Sequence, residues 1–127
     1  MKSRRQRLVD KLDKVFSKFI RNRDTDEWGL CKCYTCPIRK PPEEMDAGHY
    51  TKRGCMRTRW EERNVHTQCK RCNRFLGGNM DEYALHLIQD YGKGIIEELM
   101  KLKHLPVKKF TLQELEDMIE HYKLARV

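Results

Sequence analysis

A chain of 127 residues has room for one modest domain with helical additions and not for two independent cores. Lys and Arg outnumber Asp and Glu by 27 to 19, a formal net charge of +8, which suits a polyanionic partner, although the same excess would also serve solubility. No run approaches the roughly 20 apolar residues of a membrane span, and the opening MKSRRQRLVDKLDK carries no apolar signal core, so a soluble, unexported chain is expected.

The first element is an amphipathic helix expected from about Ser3 to Asn22. Leu8, Leu12, Val15, Phe16, Phe19 and Ile20 recur at helical spacing, with Arg4, Arg7, Lys11, Lys14 and Lys18 on the remaining surface. Packing of that stripe on its own domain is favoured over a dimer interface or a DNA-contacting arm. Asp24 to Gly29 has no periodicity and reads as a connector closing a first segment, 1–29.

The segment 30–78 carries the densest polar chemistry and ends at the helix stop Gly77-Gly78. It holds two C-x-x-C knuckles, Cys33/Cys36 and Cys69/Cys72, whose four thiolates can close one tetrahedral structural Zn²⁺ site. Cys31 and Cys55 are left over, and spacing alone lets Cys31 compete with Cys33. Without a secretory signal, disulfides are not expected for the six cysteines. The last segment, 79–127, reads as scaffold. Ala84, Leu87, Ile88 and Tyr91 mark one helix, and Ile95, Ile96, Leu99 and Leu102 a second that ends before Pro106. A third is opened by the capping box Thr111/Glu114. Asn79 is expected to cap the first of these helices, and His86, His104 and His121 to lie on the surface.

Between the knuckles stand Asp46-Ala47-Gly48-His49-Tyr50 and then Asn64-Val65-His66-Thr67-Gln68. A histidine on one strand, an asparagine about fifteen residues later, and a C-x-x-C leading into a helix whose next residue is a metal ligand resemble the HNH (ββα-metal) nuclease pattern. His49, Asn64 and Asn73 meet it. Asparagine replaces the usual final histidine, as in phage endonuclease-seven-type resolvases. The resemblance implies an α+β fold in which a zinc-stapled ββα core is covered by helices before and after. It also implies catalytic roles: His49 as general base, Asn64 tying the hairpin loop, and Asn73 with a carboxylate holding Mg²⁺ or Mn²⁺. Where the pattern has an Asp or His ligand just before the base, this chain has Gly48. Asp46 is the nearest carboxylate, but residues three apart do not share a strand face, so it would need a bulge or kink at Gly48. His66, on the strand face of Asn64, is the alternative ligand. Arg53, Arg57, Arg59, Arg63, Lys70, Arg71 and Arg74 bracket these residues and are candidate DNA contacts.

The wider string DAGHY, NVHTQCKRCN, GGN and Tyr83 resembles the NinG/Rap family of lambdoid phage recombination proteins from about Cys33 to Tyr91. That implies a structure-specific endonuclease acting on branched DNA, such as a Holliday junction or flap, in the cytoplasm of a bacterial host. Symmetric cutting of a four-way junction would need a homodimer. The competing reading is a non-catalytic zinc module that only binds DNA or a protein. A zinc-finger regulator is ranked last, because no reading helix of familiar spacing is present.

Overall fold

The structure is a computed structural model that describes residues 1–125. Helix α1 (Arg4–Arg23) begins where the Ser3 hydroxyl accepts from the Gln6 N–H at 3.1 Å, and it buries Val9, Leu12, Phe16 and Ile20. Its partner is the far end of the chain. Helix α5 (Leu112–Leu124), closed at its start by the reciprocal Thr111/Glu114 capping box, sets Leu115 and Ile119 against α1, and Tyr122 meets Phe16 edge-on at 4.8 Å. Trp60 and Val65 from the middle segment complete this core, so the apolar stripe of α1 is covered by its own chain.

Two short hairpins hold the polar chemistry. Strands β1 (Cys31–Lys32) and β2 (Arg39–Lys40) pair antiparallel and carry the first knuckle between them. Strands β3 (Met45–His49) and β4 (Val65–Cys69) pair antiparallel without interruption, from Met45 opposite Cys69 to His49 opposite Val65. The loop between β3 and β4 contains a one-turn helix, α2 (Met56–Arg59), for which a four-residue stretch has no periodic signal. After β4 the helix expected behind the second knuckle is a single wide π-turn, Arg71–Phe75. Helices α3 (Met80–Tyr91) and α4 (Ile95–His104) follow, burying Tyr83, Leu87, Ile95 and Leu99 together. Among the described residues no helix is long and apolar enough to cross a membrane.

Asn79 does precede α3, but its side chain makes no capping bond. It adopts φ 50°, which asparagine tolerates, and donates Nδ2 to the Thr35 carbonyl at 3.1 Å, tying α3 to the first knuckle. Gly48 introduces no bulge. It is required by a close approach, because a Cβ there would stand 1.8 Å from the Gln68 side-chain oxygen. Gly48→Ala is therefore expected to destabilise the fold by about 1–3 kcal/mol through overpacking. In a double-mutant cycle read by denaturant unfolding, the same change in a Gln68→Ala background should cost less. Equal costs in the two backgrounds would show that Gln68 is not what excludes a side chain at position 48.

Candidate functional site

The sulfurs of Cys33, Cys36, Cys69 and Cys72 lie within 4.8 Å of one another, a cluster that can hold a metal such as zinc. Backbone geometry at both knuckles favours thiolates: the Cys69 N–H donates to Cys33 Sγ at 3.2 Å and the Cys72 N–H to Cys69 Sγ at 3.4 Å. Burial pushes the Cys33 thiol up, but the donors from Thr35 and Cys69 outweigh it and bring it to about 7. Burial and the neighbouring thiols push Cys36 up to about 12, so ligation there must release a proton. Cys31, the rival of Cys33, is turned away, with its Sγ on the Lys40 carbonyl at 3.4 Å. Cys55 stands at the start of α2, outside the cluster.

Beside the cluster opens a cleft of about 460 Å³ lined by Asp46, His49, Arg53, Lys70, Asn73 and Arg74, with Asp13 and Glu43 at its walls. Strand β3 is paired along one edge only, so side chains from both of its faces reach this cleft, and Asp46 and His49 share it without a bulge. The π-turn delivers the other side. Asn73 Nδ2 donates to Asp46 Oδ2 at 3.0 Å, and Arg74 clasps the same carboxylate with Nε at 2.9 Å and Nη2 at 3.0 Å. His49 Nε2 sits 2.8 Å from the Arg59 carbonyl, an acceptor, so that nitrogen carries the proton and Nδ1 keeps its lone pair. Burial lowers the His49 pKa from its ordinary value, and the Arg59 carbonyl and Asp13 recover only part of the drop. The imidazole is neutral at pH 7.

Asn64 is fully buried and its amide spans the β3–β4 loop. Oδ1 accepts from the Thr51 N–H at 2.7 Å, and Nδ2 donates to the carbonyls of Thr51 at 3.1 Å and Thr58 at 3.0 Å. His66 is placed elsewhere than expected. It faces away from the cleft, stacked on Tyr34 at 3.9 Å, with burial pushing it down to about 3. Its nitrogens are already used. Tyr83 donates its only proton to the Gly48 carbonyl at 2.6 Å, so it accepts from His66 Nδ1 at 3.3 Å, and His66 Nε2 accepts from Tyr91 at 3.0 Å. A buried imidazole satisfied at both nitrogens is not free to ligate a cation in the cleft, which removes it as the alternative to Asp46.

The basic residues also divide. Arg59 is committed to the fold: it pairs with Asp13 of α1 at 2.6 Å, and Asp13 also accepts from Trp60 Nε1 at 3.0 Å. Arg57 donates to the Pro106 carbonyl at 2.7 Å, and Arg63 pairs with Glu61 at 2.9 Å and Glu98 at 2.6 Å. These three are occupied within the chain, whereas Arg53 and Lys70 line the cleft and Arg71 is exposed on the π-turn. Lys52, missed in the sequence, joins His49 and Asn73 along the adjoining part of the cleft. Gln68 was also missed. Its Oε1 is buried with no partner among the described residues, while its Nε2 donates to Thr35 at 3.0 Å and to the Gly78 carbonyl at 2.8 Å. A polar residue on a strand gives no sequence signal for that.

Small sheets framed by helices around a four-thiol cluster define an α+β chain with a centre that could hold a metal. The family model described as "Bacteriophage Lambda NinG protein" matches residues 1–126, and the chain belongs to the NinG family of phage proteins. It is 33% identical over 92 residues to the proteins named ninG of Escherichia phage lambda, Salmonella phage P22 and Escherichia phage 933W. Each match covers 72% of this chain and 43% of the relative, so the chain spans less than half the length of these relatives. No solved structure matches.

The cluster geometry makes a direct prediction about ligation. Cys33→Ser should lose bound zinc and its thermal transition, and Cys31→Ser should keep one zinc per chain by native mass spectrometry. The reverse pattern would make Cys31 the ligand.

Proposed function

We propose that this chain is a metal-dependent endonuclease of the HNH (ββα-metal) class, with the four cysteines holding a structural Zn²⁺ and the cleft cutting DNA. The observation that carries the proposal is the meeting, in one cleft and between basic side chains, of a neutral histidine whose Nδ1 keeps its lone pair with the Asp46 carboxylate, which accepts from Asn73 Nδ2. Strands β3 and β4 and the π-turn supply the two strands and the helical segment of the ββα reading. Branched DNA is the substrate class that the family resemblance implies.

The donor set fits a hard cation. Asp46 offers a carboxylate and Asn73, beside it in the cleft, an amide oxygen once its side-chain amide turns. Asp46 and Asn73 would hold Mg²⁺ or Mn²⁺. When bound, such an ion supplies charge neutralisation at the scissile phosphate and at the leaving oxygen. His49 takes the proton of the attacking water on Nδ1, and the Arg59 carbonyl stabilises the resulting imidazolium through Nε2–H. Asn64 holds the loop that carries Arg59 toward β3. Arg53, Lys52 and Lys70 neutralise flanking phosphates. Arg59, Arg57 and Arg63 contribute through the fold instead.

A second reading, a zinc module that binds DNA without cutting it, is favoured by the Arg74 clasp, which already neutralises Asp46. The experiment that separates the two is cleavage of flap and four-way DNA with Mg²⁺ or Mn²⁺ by the parent and by His49→Ala. The variant is expected to keep its zinc, thermal transition and DNA affinity while cleavage falls by about a hundredfold to ten-thousandfold. The parent rate should rise with pH along a single acid limb, because the base must be unprotonated. Its midpoint should lie below the ordinary histidine value of 6.5, since burial favours the neutral form. Cleavage unchanged in His49→Ala would remove His49 from the mechanism. No cleavage by the parent on any DNA would leave the binding module.

A further inference from the structure

We infer that Phe75 is a base-stacking side chain, seating an unpaired nucleotide beside the cleft and giving the protein a preference for DNA with unstacked bases near the reacting phosphate. The inference rests on the reading of the cleft as a DNA site, and it names the structural feature of the substrate that this site would select.

Phe75 is 83% exposed, the most exposed aromatic side chain among the described residues, and Leu76 beside it is 44% exposed. Leaving a phenyl ring in water forgoes stabilisation that even partial burial would give. This ring is also held out by a fixed piece of backbone. The π-turn is closed by the Leu76 N–H on the Arg71 carbonyl at 2.9 Å, and the Gly78 N–H returns to the Cys72 carbonyl at 2.8 Å. Cys72 belongs to the thiol cluster, so the turn is anchored to that cluster. A phenyl ring has few rotamers to lose on binding, and a rigid mount lowers the ordering cost further.

The surroundings of the ring choose its partner. The same short stretch carries Lys70, Arg71 and Arg74, and three of its side chains, Lys70, Asn73 and Arg74, line the cleft. An apolar ring set among cations matches a polyanion that offers flat aromatic faces, which describes a nucleic acid with unpaired bases. A second copy of the chain would bring these cations against their own equivalents across a two-fold axis, an arrangement that charge opposes. Fully paired DNA hides its base faces in the stack, so a stacking residue gains on flaps, gaps and junctions and gains little on a plain duplex.

The test uses the zinc-loaded chain without added Mg²⁺, with fluorescence anisotropy on two DNAs of equal length. One is a fully paired duplex, and the other has a short single-stranded flap with 2-aminopurine as its first unpaired base. Stacking on one base is worth about a five- to hundredfold change in affinity. Phe75→Ala should weaken flap binding by that factor, change duplex binding less than twofold, and abolish the 2-aminopurine quenching that the parent produces. Phe75→Trp should restore both. Equal losses on the two DNAs, no loss on either, or a change in sedimentation showing that the ring holds a second copy would each overturn the inference. If the parent cuts both DNAs while Phe75→Ala behaves identically, only this inference falls. If the parent neither binds nor cuts any DNA, the proposed function falls with it.

Discussion

The four-thiol cluster is the constraint on which the remaining geometry depends. It joins the β1–β2 hairpin to the end of β4 and the start of the π-turn, closing a loop of 36 residues between Cys33 and Cys69. Within that loop lie β3, α2 and the β3–β4 connection, which have little apolar mass of their own. The cluster's own neighbourhood buries only cysteines and Met45. In a chain of this size the apolar core contributes modestly, and a metal on four sulfurs would supply what packing does not. Metal binding and correct placement of Asn73 and Arg74 would then be one event, since the π-turn begins between the last two ligands.

A second constraint is electrostatic and acts from outside the middle segment. Asp13 of α1 accepts from both Arg59 and Trp60, and the carbonyl of Arg59 fixes the orientation of His49. The N-terminal helix thus reaches the imidazole through one ion pair and one backbone bond. On the opposite face of β3, the Tyr91–His66–Tyr83 chain of hydrogen bonds ends on the carbonyl of Gly48, the residue before His49. The histidine is braced by both routes.

Much of this was legible in the sequence, for identifiable reasons. The long helices announce themselves because an apolar stripe repeats at 3.6 residues, and the four-cysteine cluster because its spacing repeats. The choice between Cys31 and Cys33 was not legible, since it turns on which way the chain faces as it enters a two-residue strand. Asp46 could be suspected but seemed to require a bulge; the unpaired edge of β3 supplies the access instead. Arg59 reads as a surface cation until Asp13, 46 residues earlier, is found beside it. His66 has the right strand parity for the face it occupies, but parity does not reveal that two tyrosines from α3 already hold it. Gln68 and Gly48 explain each other only once the strands are paired.

The pairing of α1 with α5 also bears on how the chain acquires its structure. The two helices that make the densest contact in the fold are separated by nearly ninety residues, so Leu12, Phe16 and Ile20 have no α5 surface to meet until Leu115 and Ile119 have been synthesised. Such non-local contacts fold slowly, because loop closure must precede the gain from burial. During translation α1 would have only the Trp60 and Val65 part of that core to pack on, while the knuckles could already capture metal. Where metal is captured at that stage, its binding would precede the closure of the α1–α5 core.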